Sequence, residues 1–311
     1  MAGARAVAAM RFSGYESRRR CGIIVTETEG IAMRIISAAA VREAVRELCV
    51  EACCVLPEAV VARLRKARDG EAAGSTAQAV LAQLVENARL AREAMRPCCQ
   101  DTGMAVVFLD IGCDAHIDGD VYAAVNEGVA QGYDEGYLRK SVLHPLTRVN
   151  TGDNTPAVVH IAFVPGDRVC VHVAPKGFGS ENMGRLFLLT PSAGRQGVLD
   201  AVVETVVRAG ACACPPVVAG VGIGGTMEQA CLLAKRQLLR PLGEPSPEPD
   251  VAALEREALD RINATGIGPM GLGGRTTALA VHAAATPTHI AGLPVAVNLQ
   301  CHACRHAERT L

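Results

Sequence analysis

Thirteen cysteines carry most of the reactive chemistry in this chain, and their settings divide them. Cys99, Cys214 and Cys301 each lie in a turn, among glycine, proline or polar neighbours. Cys49, Cys53, Cys54 and Cys231 fall inside helical patterns, where cysteine behaves as a small core hydrophobe. Converging thiolates can hold an iron–sulfur cluster, and full ligation takes four. Three protein thiolates leave one iron open, and an open metal position is what a Lewis-acid catalyst requires. Wide separation makes the three turn cysteines a weak signal by themselves. Cys301-x-x-Cys304 also has the form of half a zinc site, although no second C-x-x-C completes a zinc ribbon.

Polar residues near these turns have ordinary readings beside the chemical ones. Asp101 follows the first turn cysteine and suits a turn or cap as well as a site. Arg139 and Lys140 read as a solvated charge pair. Arg148, Asn150 and Asn154 could grip a carboxylate, because arginine presents a planar fork of donors, but Asn in a turn commonly just holds it. His289, between Pro287 and Pro294, is an isolated loop histidine. Gly220-x-Gly222-x-Gly224-Gly225 follows a strand and opens a helix, as a dinucleotide-binding loop does. The acidic residue and strand expected about 20 positions on are replaced by a Pro-rich stretch around Glu244.

The elements that must position these groups follow from periodicity. Residues 35–68 read as two helices broken near Pro57, with Val41, Val45, Leu48 and Cys49 on one face. A third helix spans 75–96, capped by Ser75 or Thr76. A strand runs from Met104 to Ile111 and a helix over 120–131. Strands 157–164 and 168–174, joined by Pro165-Gly166-Asp167, read as a hairpin. Lys176 to Asn182 reads as a polar glycine loop. Helix 194–209, strand 217–223, helix 226–239, helix 251–264 and strands 276–283 and 294–299 complete the chain. The fold class is therefore mixed α/β: a helical N-terminal third, then strands and helices with glycine-rich loops at strand ends.

Half of the residues are apolar, only 3% are aromatic and Trp is absent, so the core is built from Ala, Val, Leu and Ile. The net charge of −1, without a basic face, argues against nucleic acid as a partner. No apolar run approaches the roughly 18 residues of a membrane span. Residues 1–32 lack a secretory h-region and read as a poorly ordered extension before a domain over 33–311. The expected location is the cytoplasm, where a disulfide framework is not expected.

Six segments, in order, resemble the class I (iron–sulfur) fumarate hydratase and tartrate dehydratase family, specifically its alpha subunit, from about residue 40 to the C-terminus. They are Cys99-Gln100-Asp101-Thr102-Gly103, the Asn150–Pro156 turn, Gly179-Ser180-Glu181-Asn182, Cys214-Pro215-Pro216 leading to Gly224-Gly225-Thr226, the Gly266–Gly274 loop, and Asn298-Leu299-Gln300-Cys301. The resemblance implies a [4Fe–4S] cluster on Cys99, Cys214 and Cys301, with Cys98, Cys212 and Cys304 as neighbours. Cys304 departs from the family pattern. It also implies substrate contacts from Gln100, Arg139 and the backbone of Gly179, and acid/base work by His289 paired with Asp101.

The activity implied is reversible hydration of fumarate to (S)-malate, with tartrate or mesaconate dehydration as alternatives and a non-catalytic cluster-binding protein as the rival of another class. Gly179-Ser180-Glu181-Asn182 looks closer to fumarase. The chain stops soon after Cys301, so the resemblance further implies a separate beta subunit that supplies the carbon base. The expected assembly has two alpha and two beta subunits, with the alpha chains self-associated and inactive alone.

Overall fold

Serine caps open two of the expected helices. In the computed structural model, which describes residues 33–311, a short strand β1 (Arg34–Ser37) runs into helix α1 (Ala38–Cys54). The Ser37 hydroxyl accepts the Ala40 N–H at 3.2 Å, satisfying a donor that the first turn leaves open. Val41, Val45, Leu48 and Cys49 form the buried stripe of α1. Pro57 separates α1 from α2 (Glu58–Gly70), and Ser75 caps α3 (Thr76–Ala94) through the Gln78 N–H at 3.2 Å. The expected extension over 1–32 lies outside the described residues.

Next come β2 (Met104–Gly112), β3 (Ala115–Asp118), α4 (Val121–Glu135), β4 (Val158–Val164) and β5 (Val169–Lys176). A single helical turn, α5 (Phe178–Glu181), occupies the expected polar glycine loop. Then follow β6 (Arg185–Leu189), α6 (Gly194–Ala209), β7 (Val217–Gly224), α7 (Met227–Gln237) and α8 (Pro249–Asn263). The last strands are β8 (Ala278–Thr286), β9 (Leu293–Gln300) and β10 (Ala307–Thr310). The mixed α/β class holds.

One expected pairing does not. β4 and β5 are not a hairpin: β2 lies between them in the sheet β10-β5-β2-β4, parallel to β4 and antiparallel to β5. β2 is the more buried strand and holds the covered central place, with the half-exposed β4 at the edge. The turn at 165–167 closes over the end of β2 instead, where Gly112 N–H donates to Arg168 O and Cys113 N–H to Val164 O, each at 2.8 Å. One face of this sheet, through Val107, Leu109, Val171 and Val173, packs with α1 and α4 into the first core.

The second sheet has the order β6-β9-β7-β8, with β9 antiparallel to β7 and β8 parallel to it. Its inner face packs with α6 and α8, while α2 and α3 shelter a third cluster with Val218, Leu279 and Ala280. The Gly-x-Gly motif serves helix packing. A Cβ on Gly220 would stand 2.1 Å from Ala234 O, and one on Gly222 2.0 Å from Ala230 O, so these positions let α7 lie directly on β7. Cys49, Cys53 and Cys54 are buried as expected, but Cys231 is exposed on α7 and is no packing residue. Among the described residues no helix is long and apolar enough to cross a membrane.

Gly222→Ala should therefore lower the unfolding free energy by about 1–3 kcal/mol through overpacking. Gly70→Ala, with open space at its Cβ, should leave it level or raise it by up to about 1 kcal/mol. Urea denaturation of the two variants checks the contrast; equal midpoints would dismiss the close α7 approach.

Candidate functional site

Three cysteine turns come together at one end of the second sheet. Cys214 precedes β7 and Cys301 follows β9; because these strands are antiparallel and Val218 pairs with Gln300, both cysteines emerge at the same end. Cys214 adopts the left-handed conformation (φ 52°), an uncommon state for a residue with a Cβ. Its carbonyl accepts the His302 N–H at 3.3 Å and lies 3.2 Å from His302 Nδ1, clasping the second turn to the third. The Gly266–Gly274 loop adds Met270 N–H to Pro215 O at 2.8 Å.

The first turn is delivered by helices. Cys98 N–H donates to Cys53 O of α1 at 3.0 Å, and Asn87 Nδ2 of α3 donates to Cys98 O at 2.8 Å. Asp101 then links this turn to α5: Oδ1 accepts the Gly103 N–H and Oδ2 the Phe178 N–H, each at 3.0 Å. A Cβ on Gly179 would stand 3.5 Å from Cys212 O, so α5 in turn borders the second cysteine turn. Burial raises the Cys214 thiol pKa, and the Cys301 and Cys99 thiols raise it further, which places the three within electrostatic reach.

A cleft of about 470 Å³ opens beside this end, lined among others by Asp101, Arg139, Arg148, Phe178 and Asn182. Arg139 is exposed into it, with its carbonyl held by Thr102 Oγ1 at 3.1 Å. Gln100 is exposed beside Cys99, whose Sγ lies 3.6 Å from Gln100 Oε1. Gly179 is exposed on α5. Asn150 and Asn154 take the ordinary reading: Asn154 is fully buried and its Oδ1 accepts the Ser141 and Val142 N–H groups, while Asn150 bonds Lys140 O and the Gly152 N–H.

His289 is the residue that the chain does not bring to the others. It sits on the β8–β9 loop, where neighbouring Thr288 bonds Gly225 O at the far end of β7. The eight residues of β7, roughly 25 Å of extended chain, separate that end from Cys214 and Cys301. Pairing of His289 with Asp101 within one chain is thus corrected by the strand directions. His289 is exposed, its Nδ1 accepting the Ala291 N–H at 3.2 Å.

Sequence reasoning missed two buried cations at the cysteine end. Lys176, 3% exposed, ends β5; its Nζ donates to Ser180 Oγ at 2.9 Å and lies 3.3 Å from Glu181, which also pairs with Lys235 and Asn298. Burial depresses the Lys176 pKa to about 8 against the pull of Glu181. Arg305 is 2% exposed, and its Nε and Nη1 are buried without a hydrogen-bond partner. Lysine closing an apolar strand and arginine four residues after a turn cysteine were the available signals.

These residues fit a cluster. The donors are thiols, and the buried guanidinium left unpartnered beside them suits an anionic group. Thiolates on one zinc ion stand about 3.8 Å apart. Among the described residues, the set with donors within 4.8 Å of one another is a different one, Cys170, His172 and Glu308 on β5 and β10. There His172 is already engaged, Nδ1 with Glu308 at 2.9 Å and Nε2 with Asp110 at 3.3 Å.

Comparison with known proteins shows the family. A family model for fumarate hydratase (Fumerase) matches residues 42–310. A protein of Methanocaldococcus jannaschii, provisionally named L(+)-tartrate dehydratase subunit alpha, is 42% identical over 279 residues, 87% of this chain and 97% of that one. The L(+)-tartrate dehydratase subunit alpha of Escherichia coli (strain UTI89 / UPEC) is 33% identical over 265 residues, 82% of this chain and 87% of that one. The K12 strain's protein of the same name is 32% identical over the same length. With nearly all of its described length matched, the chain belongs to the fumarate hydratase (Fumerase) family of hydro-lyases.

Proposed function

We propose that this chain is the alpha subunit of a two-subunit hydro-lyase acting on a small hydroxy-dicarboxylate, with tartrate the first candidate and malate/fumarate the second. What supports the reading is that Cys214 and Cys301 emerge at one sheet end, with the Cys99 thiol within electrostatic reach, beside a cleft holding Arg139, Arg148 and Asp101. The names of the relatives favour tartrate. The Gly179–Asn182 stretch keeps fumarate in play.

Cys99, Cys214 and Cys301 would hold a [4Fe–4S] cluster, which when bound supplies a Lewis acid for the leaving hydroxyl. The chain's other residues bind and orient. Arg139 offers its fork to one substrate carboxylate, and Gln100 an amide beside the first cysteine. Gly179, without a side chain, lets the substrate approach the α5 backbone. Asp101 has both oxygens engaged by backbone N–H groups, so it serves as a fixed acceptor for a substrate hydroxyl rather than as a free base. The proton on the adjacent carbon goes to a base on the beta subunit.

Two further features support partners. Tyr137, 93% exposed, stands with Leu146 and Val149 near the cleft as uncovered apolar surface, fitting a second polypeptide that closes it. The relatives' names specify alpha subunits, which presuppose a beta subunit. His289 reaches substrate only from a second alpha chain, which makes self-association part of the reading. The cysteines among the described residues are all free, in keeping with a reducing, cytoplasmic setting.

The reading predicts that Ser at Cys99, Cys214 or Cys301 abolishes bound iron and sulfide and turnover together; a fully active variant would remove that cysteine. The loaded chain alone should be inactive, and addition of a beta subunit should restore dehydration. Tartrate should give the highest kcat/KM in a dicarboxylate panel, and turnover by the chain alone would refute the partner requirement. Arg139→Gln should lower kcat/KM on the order of 10- to 100-fold while bound iron stays unchanged, the loss of one charge-assisted contact. Mixing inactive His289→Asn with inactive Cys214→Ser should recover up to roughly a quarter of wild-type activity through mixed pairs of alpha chains. No recovery would take His289 out of the shared site.

A further inference from the structure

Arg305 presents an imbalance that the protein's own groups leave standing. It follows Cys301 by one short turn and begins the approach to β10. At 2% exposure its guanidinium is removed from water, yet Nε and Nη1 have no acceptor, and among the described residues no carboxylate lies within the 4.0 Å of an ion pair. An isolated buried charge is costly, and such groups are paired or bind a charged group. Its neighbour Lys176 shows the ordinary solution, with Glu181, Ser180 Oγ and the Gly177 carbonyl around Nζ. Glu181 is already shared between Lys176 and Lys235, so it offers nothing to Arg305.

Burial disfavours the Arg305 charge, and the side chains that most strongly oppose this are thiols: Cys53, Cys98, Cys301 and Cys99. Two of these are the first and third candidate ligands. The third nitrogen, Nη2, borders Gly177, whose added Cβ would stand 3.4 Å from it and 3.1 Å from Asp101 Oδ2. The guanidinium therefore lies between α5, the first cysteine turn and the third, on the protein side of the cysteine end.

We propose that Arg305 is the buried counter-charge of the cluster, a positioning residue whose open Nε and Nη1 await the anion that Cys99, Cys214 and Cys301 would hold. The inference rests on the cluster reading above. A core bearing three thiolates is an anion, and a fixed positive charge beside it favours both its retention and its more negative, reduced state. Arginine suits this place because it stays charged when buried and spreads that charge over a planar fork. Without the cluster, the same charge destabilises the protein.

The test uses the full chain, purified anaerobically, as apoprotein and after loading with ferrous iron and sulfide. R305Q and R305M remove the charge; R305K keeps the charge and loses the fork. Loaded R305Q and R305M should release iron to a chelator roughly 10- to 100-fold faster than wild type. Their cluster midpoint potential, followed by electron paramagnetic resonance, should move to more negative values. R305K should restore the potential toward wild type. Apo R305M should melt no lower than the apo wild type, because an unpaired buried ion is dispensable for folding. An apo R305M that melts lower or fails to fold would overturn the proposal, showing that the guanidinium holds protein groups. Unchanged iron release and potential in both neutral variants would overturn it while leaving the cluster intact. A wild-type chain that takes up no iron and sulfide would overturn the cluster reading itself, and this inference with it.

Discussion

The antiparallel pairing of β9 with β7 is the constraint on which the site depends. It sets the residues before β7 and after β9 side by side, so Cys214 and Cys301 emerge together although the chain between them makes two helices and three strands. Register is fixed because β7 buries Val217, Ala219 and Val221 on the side of α6 and α8, and a one-residue slip would turn those side chains out. The glycines on the opposite face then admit α7. The first sheet adds its share through β2, whose first residue pairs with Lys176. That pairing brings Asp101 to the start of α5 and carries the Cys99 turn with it. The same directions that gather the cysteines send the β8–β9 loop to the opposite end.

What could be read from the residues follows the range of the forces involved. Helices and most strands were legible because caps and apolar spacing are local: Ser37, Ser75 and the α1 stripe act within a few residues. The assumed β4–β5 hairpin failed because strand order depends on competition for the covered centre, which β2 wins from far away in sequence. Cys231 failed for a related reason, since helical position alone does not say which face of α7 is covered. Asp101 and the two asparagines illustrate the opposite case, in which the modest turn-forming reading matched the contacts found. Lys176 and Arg305 carried almost no local signal, because charge is buried only where distant elements close over it.

The cleft and the apolar side chains around it belong to one argument. Arg139, Asp101 and the exposed backbone of Gly179 line or border a space that is open on one side, and Tyr137, Leu146 and Val149 stand uncovered nearby. Water in an open cleft screens the charges that would orient a dicarboxylate. A second polypeptide on that side would exclude it and strengthen each contact without moving any residue of this chain. The proposed partner would therefore account for both the exposed apolar side chains and the solvent-facing arginines.

Charge balance joins this site to the stability of the fold. The cysteine end buries two cations, Lys176 and Arg305, while Glu181 serves Lys176 and Lys235 together. Burial pulls the Lys176 pKa down, the expected response of an ammonium that can shed its proton. Arginine has no such escape, since its proton is held too tightly. An arginine kept at a dry position without an acceptor is suited to hold an anion. The surrounding thiols, on turns held by α1, α3 and the Met270 loop, supply the means to bind one. On the cluster reading, the electrostatic demand that the protein's own groups leave unmet would give the chain affinity for an anionic cofactor.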